Sequence, residues 1–335
     1  MEFIVYFQNL TIMNVDLTYY KEGLIRSDRI ILGQAITLID CDLVEDRRLA
    51  DELIENILPK TGSSIRVGVT GAPGAGKSTF IEVFGKYITS LGKKVAVLTI
   101  DPSSQKTRGS ILGDKTRMEE LSRDSLAFIR PTAAGSAAGG VSGSTREAIL
   151  LCEVAGYEVI IVETVGVGQS QVGVRGMVDF FLLLMLAGAG DELQGIKKGI
   201  MEMVDGMAIT KADGDNVAKA NHARADYQNA LHLFQTSESG WVPRVITTSA
   251  VAKTGIKETW DMIESFLRHS ANNGFFERQR NQQQLSWFYS ALDSTIRDKI
   301  IRQSKDALAS IEKRILSHQI SPARAAQHIL ENLTF

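Results

Sequence analysis

Eight consecutive residues form a complete phosphate-binding pattern. The stretch Gly71, Ala72, Pro73, Gly74, Ala75, Gly76, Lys77, Ser78 matches GxxxxGK[ST], and Thr79 follows it. Such a loop turns main-chain N–H groups inward around a phosphate, and the following helix start adds positive potential. We expect Lys77 to reach the β- and γ-phosphates of a nucleotide and Ser78 to bind Mg²⁺. A chance glycine-rich turn is the alternative, but IRVGVT before the loop and TFIEVFGKYI after it predict the required strand and helix.

A second group of residues predicts the choice of purine. Thr210, Lys211 and Asp213 belong to the stretch TKAD, which is similar to the NKxD element of GTPases with Thr in place of Asn. Asp213 would accept hydrogen bonds from the N1–H and the 2-amino group of guanine, whereas adenine would leave it unpaired. Ser249 and Ala250 follow the run RVIT and resemble the loop that packs on the base. We predict a guanine site, with some bracing lost because Thr210 replaces Asn.

Two acidic residues at predicted strand ends suggest a metal and switch site. Asp101 follows VAVLTI, and Glu163 opens a stretch to Gly166 that is similar to the DxxG switch element with Glu for Asp. We expect both carboxylates to hold Mg²⁺ or its waters and the Gly166 N–H to contact the γ-phosphate. A polar strand cap is the alternative for either acid alone. Val167 stands where many GTPases have a water-orienting Gln, so we predict slow hydrolysis with Asp101 positioning the water.

Alternating apolar runs and helical patterns must position these groups. Seven strand-like runs are predicted at Ile65–Thr70, Lys94–Ile100, Leu126–Arg130, Glu158–Glu163, Phe180–Ala187, Gly206–Thr210 and Arg244–Thr248. Buried strands that alternate with helices indicate an α/β fold of the P-loop NTPase type, with a mostly parallel, doubly wound sheet. Ser144 to Glu147 predicts a capping box that opens a helix, and Gly156 predicts the end of that helix. Ser321 and Pro322 predict the start of the last helix. We divide the chain into a helical extension (1–62), a GTPase domain (63–270) and a helical C-terminal region (271–335).

The bulk composition excludes several classes. The 335 residues carry a net charge of -2, which predicts neither a nucleic-acid nor a membrane partner. Two cysteines without CxxC spacing indicate buried thiols in a reducing compartment. The apolar first fifteen residues lack a basic leader and a small-residue cleavage site. We therefore expect a soluble, cytoplasmic protein.

Three long stretches resemble one known family. DPSSQKTRGSILGDKTRM (101–118), GGVSGSTREAILLCEVAGYEVIIVETVGVGQSQ (139–171) and AGAGDELQGIKKGIMEM (187–203) are similar to the MeaB/MMAA/ArgK family of P-loop GTPases. This family belongs to the class that contains the signal-recognition and metal-insertion GTPases, the SIMIBI class. The resemblance covers roughly residues 25 to 300.

The resemblance implies a function. Family members bind GTP or GDP with Mg²⁺, form homodimers through C-terminal helices, and gate adenosylcobalamin loading of methylmalonyl-CoA mutase or a related acyl-CoA mutase. By motif match, Asp114 joins Asp101 and Glu163 as a metal or switch acid, and 187–197 is an additional switch loop. The polar members of that loop are Asp191, Glu192, Gln194 and Lys197.

Three alternatives stay open. The first is an ATPase or kinase for lysine/arginine/ornithine transport, a label that the family has carried. The second is a nickel-inserting GTPase, although the five histidines are scattered along the chain. The third is a binding module that uses nucleotide as a structural ligand. Trp287, Phe288, Tyr289 and Leu292 are the apolar residues expected at a dimer interface, or packed on their own GTPase domain.

Overall fold

The computed structural model describes residues 16–41, 43–101, 118–133, 143–164, 170–188, 198–232 and 237–331. The chain divides into two compact units, Met1–Arg280 and Asn281–Phe335. No helix in the described ranges is both long enough and apolar enough to cross a bilayer.

Seven parallel strands form one sheet in the first unit. They are β1 (Ile65–Gly71), β2 (Val95–Asp101), β3 (Ala127–Ala133), β4 (Val159–Thr164), β5 (Phe180–Leu186), β6 (Gly206–Thr210) and β7 (Arg244–Thr247). Their order is β3-β2-β4-β1-β5-β6-β7, and every pairing is parallel. All seven predicted strands are confirmed, with ends that shift by three residues at most. The predicted α/β fold with a doubly wound parallel sheet is confirmed as well.

Helices connect the strands and extend both ends of the chain. They are α1 (Leu17–Ile25), α2 (Arg29–Ile39), α3 (Val44–Ile57), α4 (Lys77–Ser90), α5 (Glu119–Ser122), α6 (Gly143–Val154), α7 (Ser170–Arg175), α8 (Lys198–Met201), α9 (Val217–Leu231), α10 (Ile256–Asn272), α11 (Phe275–Gln303), α12 (Lys305–Leu316) and α13 (Pro322–Glu331). Short 3₁₀ turns lie at Leu58–Lys60 and Gly214–Asn216.

The main core lies between the sheet and the helices α4 and α10. Val67 and Val69 of β1 point to this face, where Phe80 and Phe84 stack with ring centroids 5.3 Å apart. Trp260 of α10 joins the same cluster. Because successive residues of a strand point to opposite faces, Gly68 faces the other side. A Cβ at Gly68 would lie only 3.0 Å from a methyl group of Val174 in α7, so the missing side chain allows α7 to approach β1 closely.

The helix α6 differs from its prediction at one end. It begins at Gly143, so Ser144 lies inside the first turn and the capping-box prediction is wrong. The Glu147 carboxylate instead pairs with Arg47 of α3, with an Nη2–Oε1 distance of 2.8 Å. This ion pair ties the N-terminal helices to α6. At the other end Gly156 takes the predicted left-handed conformation (φ 81°) that closes the helix.

Buried ion pairs support the sheet at the end opposite to the P-loop. Arg66 of β1 contacts Glu153 of α6 at 2.9 Å, and its backbone N–H donates to Asp179, which immediately precedes β5. Arg280 of α11 contacts Asp179 at 2.8 Å and also donates to the carbonyl of Ser64. A buried charge is tolerated when it is paired and hydrogen-bonded, as each of these four is. The network therefore locks α6 and the start of α11 to the sheet.

The second unit consists of the rest of α11, α12 and α13. Ile311, Ala325 and Ile329 form its small buried cluster. The prediction that Ser321 and Pro322 begin a helix is confirmed, since Pro322 is the first residue of α13 and the Arg324 N–H lies 3.3 Å from the Ser321 hydroxyl.

Candidate functional site

The P-loop connects the carboxyl end of β1 to α4. Gly71 ends the strand, residues 72–76 form the turn, and Lys77 is the first helical residue. A Cβ at Gly71 would lie 2.3 Å from the carbonyl oxygen of Leu184, so no larger residue fits between β1 and β5. Gly76 adopts φ 79°, a left-handed conformation that glycine reaches without steric cost. The sequence motif therefore has the strand–loop–helix context that it requires.

The Lys77 ammonium is held over this loop. Its Nζ donates to the carbonyls of Gly71 and Ala72 at 2.9 and 3.2 Å. Burial lowers the pKa of Lys77, and the nearby Glu163 carboxylate opposes that shift. An ammonium has three donors, so a third remains for an anion at the loop.

Ser78 and Glu163 meet at the same edge of the sheet. The Ser78 hydroxyl donates to Glu163 Oε1 at 3.1 Å, although the two residues are 85 positions apart in the chain. Glu163 is only 3% exposed and lies in β4, beside β1. A carboxylate and a hydroxyl beside a phosphate loop are the hard oxygen donors that Mg²⁺ accepts, and this ion keeps several waters and needs few protein ligands. The described residues contain no group of three or more His, Cys, Asp or Glu side chains arranged for a metal. The Ser78 hydroxyl and the Glu163 carboxylate therefore fit Mg²⁺ as hard oxygen donors.

Several predicted residues fall outside the described ranges. Asp114, Gly166 and Val167 do so, as does 189–197 of the predicted additional switch loop. Asp101 is the last residue of β2, which pairs with β4 so that its strand end lies at the same edge as Glu163. Its side chain is outside the described part, and its proposed role stays a prediction.

A cavity of about 280 Å³ opens beside the P-loop, where the base site was predicted. It is lined by residues of the P-loop, of α4, of the TKAD stretch and of the loop after β7: Ala75, Gly76, Thr79, Phe80, Thr210, Lys211, Asp213, Thr248, Ala250 and Val251. Phe80 and Val251 carried no signal in the sequence, because only the folded chain brings them to this cavity.

Hydrogen bonds orient the carboxylate in this cavity. The Ser249 hydroxyl donates to Asp213 Oδ2 and accepts from the N–H of Ala252 at 3.0 Å. Lys211 has φ 57°, and its carbonyl accepts from the Asn216 amide at 2.7 Å. Ser249 was predicted as part of a loop that packs on the base, and in the structure it also holds the carboxylate of Asp213.

Thr210 braces the P-loop. Its hydroxyl lies 2.8 Å from the Ala75 carbonyl and 3.0 Å from the Met185 carbonyl of β5. Thr210 therefore still braces the P-loop through this contact, and the expected loss of some bracing relative to Asn stays a prediction. The short side chain of Thr210 can reach these carbonyls because β6 pairs with β5, which places Thr210 beside them.

Comparison with known proteins agrees with this architecture. The family described as "Methylmalonyl Co-A mutase-associated GTPase MeaB" matches residues 32–305. The chain is 44% identical over 298 residues to GTPase ArgK of Escherichia coli K12, covering 87% of this chain and 90% of that protein. It is 42% identical over 321 residues to the mitochondrial methylmalonic aciduria type A homolog of Mus musculus, covering 92% and 77%.

A solved structure supports the same assignment. The crystal structure of an LAO/AO transport system kinase matches with a TM-score of 0.75 at 36% identity, over 94% of this chain and 96% of that one. The family match spans most of the chain and includes the P-loop, β4 and the TKAD stretch. The predicted family is thus confirmed, and the chain belongs to the MeaB family of methylmalonyl-CoA mutase-associated P-loop GTPases.

Proposed function

We propose that this chain is a GTP-hydrolysing chaperone that gates adenosylcobalamin loading, and protection, of an acyl-CoA mutase of the methylmalonyl-CoA mutase type. In this proposal it works in the cytoplasm. The observation that carries the nucleotide part is the P-loop itself: its Lys77 and Ser78 make the contacts at the phosphate end, and its Ala75 and Gly76 line the cavity that holds Asp213. The partner is inferred from the family description, which names the mutase.

The phosphate end would act by positioning and by charge. Main-chain N–H groups of 72–78 would surround the β-phosphate, and Lys77 would turn its ammonium toward the β- and γ-phosphates. Ser78 and Glu163 would hold Mg²⁺ or its waters, with Asp101 and Asp114 as further acids. Mg²⁺, when bound, neutralises charge that develops on the transferred phosphoryl group. Gly166 would contact the γ-phosphate, and Asp101 would orient the attacking water.

The base end would select guanine. Asp213 is oriented by Ser249, and its remaining acceptor capacity is available to the N1–H and 2-amino donors of guanine. Lys211 would lie along the base plane with its alkyl stem. Adenine would present an acceptor to the carboxylate and leave it unpaired. This expectation separates the proposal from a transport ATPase or kinase, the activity named for the solved relative.

The partner step can be tested with purified components. The adenosylcobalamin-dependent acyl-CoA mutase of the same organism is mixed with this chain, and binding is measured with GDP, GTP and a non-hydrolysable GTP analogue. We expect binding that depends on nucleotide state and cofactor transfer that requires hydrolysis. Lys77→Ala should bind none of these nucleotides and should uncouple transfer. Equal mutase binding and loading in all nucleotide states, or with Lys77→Ala, would contradict the proposal.

A homodimer through α11 completes the proposal. The apolar residues of α11 at positions i, i+3, i+4, i+7 and i+11 are each at least 40% exposed: Leu285, Phe288, Tyr289, Leu292 and Ile296. They form one apolar stripe of a helix, and an exposed stripe of this kind is typical of an interface. We expect a dimer mass by light scattering and a monomer for Phe288→Glu. A monomeric wild-type protein at micromolar concentration would contradict this part.

A further inference from the structure

A second cavity, here called the outer cavity, opens on the solvent side of the P-loop helix α4. Its volume is about 240 Å³, and it is lined by residues of α4, of α5, of the loop after β7 and of the first turn of α10: Glu82, Val83, Lys86, Tyr87, Glu120, Lys253 and Ile256. Pockets for small molecules usually measure about 300–1,000 Å³. The smaller outer cavity therefore suits one large side chain of a partner better than a nucleotide or a cofactor.

One wall of the outer cavity is apolar. Ile256 is 3% exposed and belongs to the main core, and the half-buried Val83 and Tyr87 pack against that same core. The three side chains come from two separate helices, α4 and α10. They form a concave apolar surface on a rigid base, which is the kind of pocket that an aromatic anchor residue fills in a protein interface.

Two charged side chains of the lining fix the shape of the outer cavity. Glu82 Oε1 accepts from the main-chain N–H groups of Glu120 and Leu121, at 2.7 and 3.3 Å. Lys86 Nζ lies 2.6 Å from Asp124 Oδ2, just beyond the end of α5. Both side chains therefore hold α5 and the residues after it against α4.

The other two charged side chains are available to a partner. Lys253 and Glu120 are both exposed, and neither side chain makes a hydrogen bond or an ion pair within the described part of the chain. They carry opposite charges and come from different elements, the loop after β7 and α5. A partner surface complements this rim when its anchor has an acidic residue on the Lys253 side and a basic residue on the Glu120 side. The reverse arrangement would place like charges together, which is unfavourable and so fixes the orientation of the partner.

The outer cavity shares a loop with the cavity that holds Asp213. Ala250 and Val251 line the Asp213 cavity, and Lys253 lines the outer cavity. The main chains of Ser249 and Thr254 close this loop with two hydrogen bonds, at 3.0 and 3.1 Å. A partner that contacts Lys253 therefore acts on the same closed loop that borders the base site. Such a shared element can couple the two binding equilibria, and the coupling is reciprocal.

We propose that the outer cavity is a docking site for the mutase partner, which inserts one aromatic side chain between α4 and the loop after β7. An acidic residue beside this anchor pairs with Lys253, and a basic residue on its other side pairs with Glu120. An apolar centre with a charged rim is the usual anatomy of a protein interface. The inference rests on the proposed function, which supplies the partner, and adds to it the surface and the chemistry of the contact.

The first test measures mutase binding by calorimetry for variants of the rim. Lys253→Glu and Glu120→Lys should each weaken binding by about tenfold, because an attracted charge becomes a repelled one. The double variant has the net charge of the wild type but reverses the charge pair, so we expect it to bind no better than either single variant. Lys219→Glu, at an exposed residue of α9 that lines neither cavity, is the matched control and should change binding by less than about twofold.

The second test fills the outer cavity. Val83→Phe adds volume to the apolar wall and should weaken mutase binding by about tenfold even at 1 M salt, where the rim charges are screened. If Val83→Phe does not fold by circular dichroism, the rim variants carry the test, because both of their side chains are exposed.

The third test measures coupling to the nucleotide. A saturating concentration of mutase should change the GDP dissociation constant of the wild-type chain by about fivefold or more. Without mutase, Lys253→Glu should keep GDP affinity within about twofold of the wild type, since Lys253 does not line the Asp213 cavity. A mutase effect on GDP affinity below about twofold in the wild type would contradict the coupling.

The outcomes separate the docking site from the proposed function. Wild-type protein that binds the mutase in no nucleotide state defeats both. Wild-type protein that binds the mutase, together with rim and Val83→Phe variants that bind it equally well, overturns the docking site alone. Variants that change the mass of this chain in light scattering but leave mutase binding unchanged would assign the outer cavity to a contact between copies, and that result also overturns the proposal.

Discussion

Replacing Asp213 by asparagine should change which purine the chain prefers. The carboxylate in the cavity beside the P-loop would accept from two donors of guanine, at N1 and at the 2-amino group. Asparagine keeps the shape and one acceptor, and the Ser249 hydroxyl can still donate to that oxygen. Its amide N–H₂, however, faces the 2-amino group donor to donor. Xanthine has a carbonyl at that position, which the new amide can satisfy.

The expected magnitude follows from the bonds that change. A hydrogen bond to a charged group contributes about 1.5–3 kcal/mol, and an unpaired buried donor costs about 1–3 kcal/mol. Loss of one such bond, with some relief by water at the cavity mouth, makes GTP binding weaker by about 3 kcal/mol, which is roughly 150-fold. Binding of XTP should strengthen by about tenfold or more, because the asparagine amide would donate to the xanthine carbonyl that the wild-type carboxylate repels.

The assay measures dissociation constants for GTP, XTP and ATP by calorimetry at one Mg²⁺ concentration. Asp215→Asn is the matched control: Asp215 lies two positions further on and is exposed, and we expect it to change GTP affinity by less than about twofold. Thermal unfolding of both variants verifies the fold. An Asp213→Asn variant that keeps wild-type GTP affinity, or that gains ATP rather than XTP, would refute the base-recognition argument.

Three further predictions concern the phosphate end and stability. Thr210→Val removes the hydroxyl shared by the P-loop and β5 carbonyls and should lower the free energy of unfolding by about 1–3 kcal/mol in urea titrations, while Thr210→Ser should stay near wild type. Lys77→Ala should abolish GTP binding yet leave the melting temperature of the nucleotide-free protein within a few degrees, because among the described residues its ammonium donates to two main-chain carbonyls at the edge of the fold; a large fall in melting temperature would contradict this. Bonding to Lys86 lowers the pKa of Asp124 to about 2, with Thr89 as a further donor. The folded pKa lies below the ordinary value, so this carboxyl stabilises the fold above about pH 4 and loses that contribution as the pH falls toward 2. Asp124→Asn should reduce the fall in the free energy of unfolding as the pH drops from about 4 toward 2. An unchanged fall in that variant would contradict the role given to Asp124.

The fold and the P-loop could be predicted because their information is local. Each strand is a short apolar run bounded by polar or glycine residues, and parallel strands buried on both faces carry that pattern directly. Gly71 to Ser78 form a contiguous motif whose flanking strand and helix confirm it. The Gly156 helix end follows from the same kind of local reasoning, since a left-handed residue is needed there.

Tertiary structure decided which distant residue each polar side chain contacts. Thr210 and Ala75 are 135 positions apart, yet the pairing of β6 with β5 makes the hydroxyl a brace of the P-loop. The packing of α7 on β1 brings the Gln171 amide to Thr70 across 101 positions, although glutamine at the start of a helix has no local signature. Glu147 has the spacing of a capping residue, but α3 presents Arg47 to it, and the two side chains form an ion pair instead. Sequence alone therefore determined the secondary structure and the motif chemistry, whereas packing selected the partners, because a side chain bonds to whatever the fold places within about 3 Å.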